Sequence, residues 1–411
     1  MLFVWPLSAC GKGSEVDTPR KVVILGLDGA EWSLLQPMID AGEMPHLASL
    51  AERGASGTLK SLEPPQKSPA IWTTIATGKS PDDHGIRTFV DKVRGRPLTR
   101  NLRQVPALWN IASSVGLSSG VVGWLMSWPA EEIRGFVVSD YLQYSAAPSR
   151  RLEHRTFPAE LAAELAVDVM PWQQVPWSFV QGFLDAPLDP MAMSAKLRSL
   201  LQPIRWISAG DMTFARIGTK LYREHAPGFF AVYLRGMDAM GHLYWNYMTP
   251  EAIPEGSLSA EGSRYLSGAV RAYYRYTDKL IGQLLDEIDE KNTTIIVVSD
   301  HGFKGGKGRG IEMHTPDGVI VIAGPKVKQG RITGATVYDV APSVLVLLGL
   351  PPADDMPGRV LWSAFNESLS RDQFSATIPT YGTSAPVDSV GRGTVVDEEV
   401  KDRLRTLGYV D

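Results

Sequence analysis

The chain is poor in the features that would simplify its assignment. It has one cysteine, Cys10, in 411 residues, so no intramolecular disulfide can form. Lys plus Arg (41) nearly balance Asp plus Glu (45), and no long basic run occurs. A polyanionic partner such as nucleic acid is therefore not suggested. Beyond the first residues, no segment approaches the roughly 18 consecutive apolar residues of a membrane span. Internal repeats and low-complexity tracts are absent. Histidine is scarce, with seven in all, so any cluster of histidines stands out.

What is present describes a large globular domain. Apolar residues make up 44% and charged residues 21%, a balance typical of packed proteins. The 39 Gly and 29 Pro imply many turns at strand ends. Lys21–Gly29 is a continuous apolar run ending in Asp28-Gly29, which reads as a buried parallel strand. Gly228–Arg235 and Thr293–Asp300 repeat the pattern, and Gly318–Ala323 is another strand. Helices are expected around Trp32–Ile39, His46–Arg53, Leu108–Val115, Val270–Ile288, Val337–Leu348 and Glu398–Leu407. Strands are expected at Gly120–Leu125 and Phe136–Ser139.

The expected fold is therefore α/β, with a mostly parallel central sheet flanked by helices. A core over residues 21–140 and 224–365 is interrupted by a largely helical cap insertion over 141–223. In that insertion Met, Trp and Pro are dense, and its aromatics either pack the cap on the core or line a pocket. Residues 366–411 form a polar C-terminal extension.

Chemistry concentrates in one pattern. Three strands lead into aspartates, Asp28, Asp238 and Asp300. His242 and His301 follow two of them, and His314 comes from a nearby loop. Ligands of open α/β sheets gather at the carboxyl ends of the strands. A single Asp-Gly there is a turn, but three carboxylates converging would repel strongly. Divalent cations resolve that repulsion, and mixed Asp/His ligation suits Zn²⁺ or Mn²⁺.

Ser68 joins this pattern from a separate direction. A short strand, Gly57–Leu62, is ended by Pro64 and Pro65. Ser68 then precedes Pro69 and an apolar run, Ala70–Ala76. By itself this is a helix N-cap with proline at N1. Beside the aspartates it becomes a candidate nucleophile. Two Zn²⁺ carry four positive charges, and three aspartates with a Ser68 alkoxide carry four negative ones. Metal proximity lowers a hydroxyl's pKa, and two metals can clamp both oxygens of an in-line displacement. A free phosphate oxygen is expected to meet the amides at the start of this helix.

These motifs in this order resemble the alkaline phosphatase superfamily: Leu-Gly-Leu-Asp28-Gly, Lys67-Ser68-Pro, Pro-Asp-Asp-His84-Gly-Ile, Asp238-x-x-x-His242, Ser-Asp300-His301-Gly and His314. The nearest branch is the type I phosphodiesterase/nucleotide pyrophosphatase group, and the likeness runs from about residue 21 to 363. The closing Leu404-Arg-Thr-Leu-Gly-Tyr is similar to tails of such enzymes. The resemblance implies that Asp238, His242 and His314 hold one metal. It places Asp28, Asp300, His301 and the Ser68 oxygen on the other. It implies a covalent phosphoryl-Ser68 that water hydrolyses, with a phosphodiester or pyrophosphate substrate favoured over a monoester. Transfer of the phosphoryl group to a second alcohol, as in a mutase, uses the same site. A non-catalytic binding module predicts missing ligands, and all six are present.

Two departures and one further likeness complete the reading. Sulfatases of this superfamily carry Arg where position 72 is Trp. Relatives place a phosphate-holding Asn shortly after the His-Gly-Ile turn, where this chain reads Arg87-Thr88-Phe89-Val90-Asp91-Lys92. Lys67, Arg87, Lys92, Arg94, Lys304 and Lys307 are candidates to replace it. His84 reads as a turn residue, and His46, His154 and His225 as surface or packing residues. Finally, the apolar stretch before Leu7-Ser8-Ala9-Cys10 resembles a bacterial lipoprotein signal, which would anchor the protein to the cell envelope through lipidated Cys10.

Overall fold

The computed structural model describes residues 21–91, 96–144, 154–252, 259–307, 310–369, 371–384 and 395–409. Cys10 and its lipoprotein-like signal lie outside the described residues, as do Lys92 and Arg94. Among the described residues no helix is long and apolar enough to cross a membrane.

A nine-stranded sheet forms the centre. Its strands are β1 (Lys21–Leu27), β2 (Ala55–Lys60), β3 (Ser119–Val122), β4 (Gly135–Val138) and β5 (Thr156–Phe157). They continue with β6 (Phe229–Leu234), β7 (Thr293–Val298), β8 (Asp317–Ala323) and β9 (Gly330–Thr336). The spatial order is β9-β2-β8-β7-β1-β6-β3-β4-β5. Only β8 and β5 run against the rest. β1 lies between β6 and β7, parallel to both, so the carboxyl ends of these three strands sit side by side. β2 begins at Ala55, before the expected Gly57. It is held on both edges there, by Ile322 of β8 and Gly330 of β9.

Strand alternation divides the core between two helical layers. Val23, Leu25 and Leu27 of β1 face one apolar cluster. The helices in chain order include α1 (Trp32–Asp40), α2 (Pro45–Arg53), α3 (Ser68–Thr77), α4 (Leu108–Ser114), α5 (Ala195–His225), α6 (Gly236–Met248) and α7 (Ala269–Leu285), and that layer holds α1, α2, α5, α6 and α7. Val22 and Ile24 face the other cluster, with α3, α4 and α8 (Val340–Leu347).

Over the described part of 141–223 the chain makes the edge strand β5, short helical pieces and then the 31-residue α5. The last third of α5 packs on the sheet, where Gly218 passes close to Val122, Phe230 and Val232. Its first half joins α6, with the Tyr244 hydroxyl donating to the Leu200 carbonyl at 2.8 Å. The Trp172 and Trp177 rings of this region sit against the Arg205 guanidinium, at 5.7 and 4.8 Å. Residues beyond 366 return to the body of the protein, ending in α9 (Val395–Thr406) and Tyr409.

Candidate metal centre

Asp28 follows β1 directly, and its backbone N–H donates to the Leu234 carbonyl of β6 at 3.0 Å. Gly29 comes next at φ +69°, where a Cβ would meet the Asp238 Cα at 2.9 Å. Glycine is required at this point by both the left-handed conformation and the close backbone approach. Asp300 and His301 follow β7 after one residue, Ser299. Asp238 departs from the expected strand-end position. β6 ends at Leu234, and Asp238 is the third residue of α6, one turn before His242. The four-residue spacing places both side chains on one helix face, with His242 Nε2 at 3.1 Å from Asp238 Oδ1.

His314 is carried by a two-stranded ribbon, Gly302–Phe303 against His314–Thr315. Glu31 holds that ribbon. Its Oε1 caps α1 through the Ser33 N–H at 2.9 Å, while Oε2 accepts from the Phe303 N–H and the Thr315 hydroxyl, each at 3.0 Å. His314 Nε2 thereby comes within 3.4 Å of Asp238 Oδ1.

Two ligand groups result: Asp238, His242 and His314, and Asp28, Asp300 and His301. They adjoin one another. His301 Nε2 is 3.4 Å from Asp28 Oδ1, 3.4 Å from Asp300 Oδ2 and 3.8 Å from Asp238 Oδ1. The His301 and His314 rings stack with centroids 3.5 Å apart. His301 Nδ1 donates to the Gly302 carbonyl at 3.0 Å, which turns Nε2 toward the carboxylates. All three aspartates are buried.

The donor set fits divalent cations. Asp28 Oδ1 and Asp300 Oδ2 are buried without hydrogen-bond partners, an expensive arrangement for carboxylate oxygens unless a cation meets them. Electrostatics point the same way. Burial, then the charge of Asp28, pushes Asp300 well above the usual carboxylate range. Burial alone would lower His301, but the charges of Asp300, Asp28 and Asp238 raise it to about 10. Burial and the positive charge of His301 lower His314 to about 3. Burial opposes ionisation of Asp238, but His242 and His314 hold it well below its ordinary value.

Ser68 lies at this centre, with Oγ at 3.5 Å from His301 Nε2. The expected N-cap role is corrected. Lys67 is the cap residue, Ser68 is the first helical residue of α3, and no side chain caps the helix. The expected amide cradle is also reduced, because Lys67's carbonyl already engages the Ala70 and Ile71 N–H groups.

Two of the proposed phosphate-binding cations have other partners. Lys67 Nζ donates to the Tyr409 carbonyl at 2.7 Å. Arg87 is paired with Asp82 at the surface. Lys304 and Lys307 are exposed. His84 is a buried turn residue, with Nε2 at 3.1 Å from Thr74 Oγ1 and Nδ1 accepting from the Ile86 N–H at 3.1 Å. Trp72 is buried edge-on against Trp124 and Tyr233.

Three site residues were not anticipated. The Tyr233 hydroxyl donates to Asp28 Oδ2; the strand pattern buries Tyr233 but does not orient its hydroxyl. Arg235 lines a cavity beside the centre, shared with Asp28, Asp238, Phe89, Leu404 and Tyr409. Tyr409 reaches the centre itself, its hydroxyl 2.7 Å from His242 Nε2 and 3.1 Å from His314 Nε2. The likeness of the closing Leu404–Tyr409 segment to other tails was the one available signal.

Comparison with known proteins bears on the family and the fold. The family model described as Type I phosphodiesterase / nucleotide pyrophosphatase matches residues 22–316. A 2,3-bisphosphoglycerate-independent phosphoglycerate mutase of Prochlorococcus marinus (strain MIT 9303) is 30% identical over 132 residues, 29% of this chain and 23% of the mutase. A mutase of the same description from Desulforudis audaxviator (strain MP104C) is 28% identical over 137 residues, 32% of this chain and 25% of that protein. The chain thus spans about a quarter of the length of the curated relatives it matches. Among solved structures, a 2-O GAG sulfatase superposes with a TM-score of 0.55 at 13% identity, over 88% of this chain and 76% of that one. That likeness is one of fold.

Proposed function

From the premise that the chain belongs to the type I phosphodiesterase/nucleotide pyrophosphatase family, within the alkaline phosphatase superfamily, we propose that it is a two-metal phosphohydrolase. Its favoured substrates are phosphodiesters or pyrophosphates, and Ser68 is its nucleophile. The observation that carries this reading is the convergence of two Asp/His triads on one serine hydroxyl.

Asp238, His242 and His314 would hold one cation, and Asp28, Asp300 and His301 the other. When bound, Zn²⁺ or Mn²⁺ neutralises the buried carboxylates, lowers the pKa of the nearby hydroxyl and attracts the phosphate. The chain's own residues do the rest. Ser68 Oγ forms a bond to phosphorus as the ester oxygen departs with its organic group. Water then cleaves the phosphoseryl bond, releasing the phosphorylated product and restoring the hydroxyl. Tyr233 keeps Asp28 oriented through its hydrogen bond. Glu31 fixes the ribbon that brings His314 to the site. Arg235 is the cation whose position beside Asp28 and Asp238 suits the role of the absent Asn. Trp72 in place of the sulfatase Arg argues against sulfate esters.

A second reading is supported by the mutase relatives: the phosphoryl group on Ser68 passes to an alcohol of the substrate instead of to water. Bis-p-nitrophenyl phosphate and p-nitrophenyl phosphate, assayed with and without Zn²⁺ or Mn²⁺, test the first reading. Metal-dependent cleavage of the diester at the higher kcat/KM supports it. Transfer to an added alcohol that outpaces hydrolysis favours the second. Absence of metal-dependent turnover on any phosphate ester overturns both.

A further inference from the structure

The end of the chain enters the centre described above. α9 and the residues after it cover one side of the site cavity through Val400, Leu404 and Leu407. The Tyr409 ring packs on Phe89, centroids 4.8 Å apart. Phe89 belongs to the Arg87–Lys92 segment that lacks the expected Asn. Lys67, the neighbour of Ser68, grips the Tyr409 carbonyl at 2.7 Å. The tail is therefore seated from both sides, and its phenol is fully buried among metal-ligand atoms.

Four of those atoms have a definite geometry. Asp238 Oδ1, His242 Nε2, His314 Nε2 and Tyr409 Oη are separated pairwise by 2.7 to 3.4 Å, in all six combinations. Four points so spaced form a nearly regular tetrahedron, whose centre lies about 1.9 Å from each vertex, close to the Zn–N and Zn–O bond lengths of four-coordinate zinc. Hydrogen bonding alone does not account for the cluster. One phenol proton faces two carboxylate oxygens and two imidazole nitrogens, and the two nitrogens are themselves in contact.

Resting on the two-metal reading above, we propose that Tyr409 is the fourth ligand of the cation held by Asp238, His242 and His314. Binding of the cation releases the phenol proton to solvent and forms a metal–phenolate bond. The coordination sphere is then closed by the protein, as in structural sites, whereas catalytic sites keep one position open. A substrate oxygen would reach that position only where the Tyr409 oxygen gives it up and takes back from solvent the proton it had released. The C-terminal tail is thus a displaceable internal ligand at the substrate position. Its anchors at Phe89 and Lys67 keep it within reach.

The test uses the full-length protein, Tyr409→Phe and Tyr409→Leu, titrated with Zn²⁺ and Co²⁺ and followed by chelator competition and ultraviolet difference spectroscopy. Wild type is expected to show the phenolate difference band as metal binds, and both variants to lack it. Affinity for one of two metal equivalents should fall at least tenfold in the variants. At saturating metal, KM for bis-p-nitrophenyl phosphate should fall in both variants. Metal binding by wild type with no phenolate band, or with affinity equal to that of the variants, overturns the proposal and leaves the two-metal reading standing. A KM in metal-saturated Tyr409→Phe equal to or above that of wild type overturns the displaceable role. No metal bound by either wild type or variants removes the two-metal reading itself, and the proposal with it.

Discussion

His242 and His314 direct their Nε2 atoms at each other across 3.0 Å. One proton or one cation must lie between two such lone pairs, and Asp238 Oδ1 stands 3.1 and 3.4 Å from the same atoms. Together with the buried oxygens of Asp28 and Asp300 that accept no hydrogen bond, this predicts two metal equivalents per chain. His242→Ala should retain one, measured by elemental analysis after dialysis against trace Zn²⁺. Zn²⁺ at a hundredfold excess over its dissociation constant should raise wild-type stability by about 2.7 kcal/mol. An equal metal content in wild type and His242→Ala would refute the ligand assignment.

Ser68 uses none of its hydroxyl's capacity to cap α3, so the oxygen at 3.5 Å from His301 Nε2 is available for chemistry. Ser68→Ala should lower kcat by a factor on the order of 10³ or more, equivalent to about 4 kcal/mol of transition-state stabilisation. Its metal content should be unchanged. Ser68→Thr, which keeps the oxygen, should retain measurable turnover. Wild-type rates in Ser68→Ala would exclude a covalent phosphoseryl step.

The contrast between Asp300 and Tyr409 shows what the sequence makes legible. Asp28, Asp300 and His301 adjoin apolar runs whose strand character is local, and the parallel sheet then brings those ends together. Asp238 and His242 are visible through their spacing, although the helix that carries them, Gly236–Met248, is not among the expected elements. The helical layers and the sheet are likewise readable from periodicity. Tyr409 meets Asp238 across 171 residues, and nothing local to either residue encodes that contact. It arises where α9 packs against the cavity. The same holds for the Tyr233 hydroxyl on Asp28 and for Glu31, whose roles depend on loops that meet only in three dimensions. Lys67 and Arg87 were plausible phosphate ligands by position along the chain, but the fold pairs one with the tail and the other with Asp82.

His84 sits in the turn after α3, fully enclosed, and burial lowers its pKa from 6.5 to about 4. Its Nδ1 accepts from Ile86, so the neutral ring is the form the fold binds. As pH falls, the unfolded chain takes up this proton near 6.5 while the folded chain resists until about 4. The contribution is therefore complete above pH 6.5, declines between 6.5 and 4, and reaches about 3 kcal/mol at most. Urea unfolding across this range should show the slope in wild type and a shallower one in His84→Gln. Turnover of His84→Gln at pH 7.5 and a temperature well below its midpoint should stay near wild type. Its failure to bind metal there would instead make His84 part of the centre.

Gly29 separates Asp28 from the Asp238 backbone. An added Cβ meets Asp238 Cα and Cβ, each at 2.9 Å, and the φ of +69° disfavours any L side chain. Neither atom is the end of a flexible chain, so Gly29→Ala must shift β1's carboxyl end away from α6. We expect a loss of stability of about 1–3 kcal/mol and weaker binding of metal. Thermal melts of the metal-free and Zn²⁺-loaded protein separate these effects: strain lowers both midpoints, and a displaced Asp28 or Asp238 also narrows the gap between them. Midpoints equal to wild type would show that the turn relaxes without moving the ligands.

Glu31 couples the first helix to the last metal ligand. Its Oε2 accepts two donors, the Phe303 N–H and the Thr315 hydroxyl, while Oε1 caps α1. Glu31→Gln replaces one acceptor oxygen with an NH₂ group that faces a donor, whichever way the amide turns. One donor is left unpaired if Oε1 is the lost acceptor and two if it is Oε2, at a cost of about 1–3 kcal/mol each. If Oε2 is the lost acceptor, the ribbon loosens and His314 drifts from Asp238, since supporting partners of metal ligands typically contribute 10- to 100-fold in affinity. Weakening should be greater for one of the two Zn²⁺ equivalents in a chelator competition, because His314 lies within this ribbon whereas Asp28 and Asp300 lie outside it and His301 only adjoins it at Gly302. Uniform weakening of both equivalents would instead point to a general loss of folding. Unchanged affinity with a lowered midpoint would restrict Glu31 to capping α1.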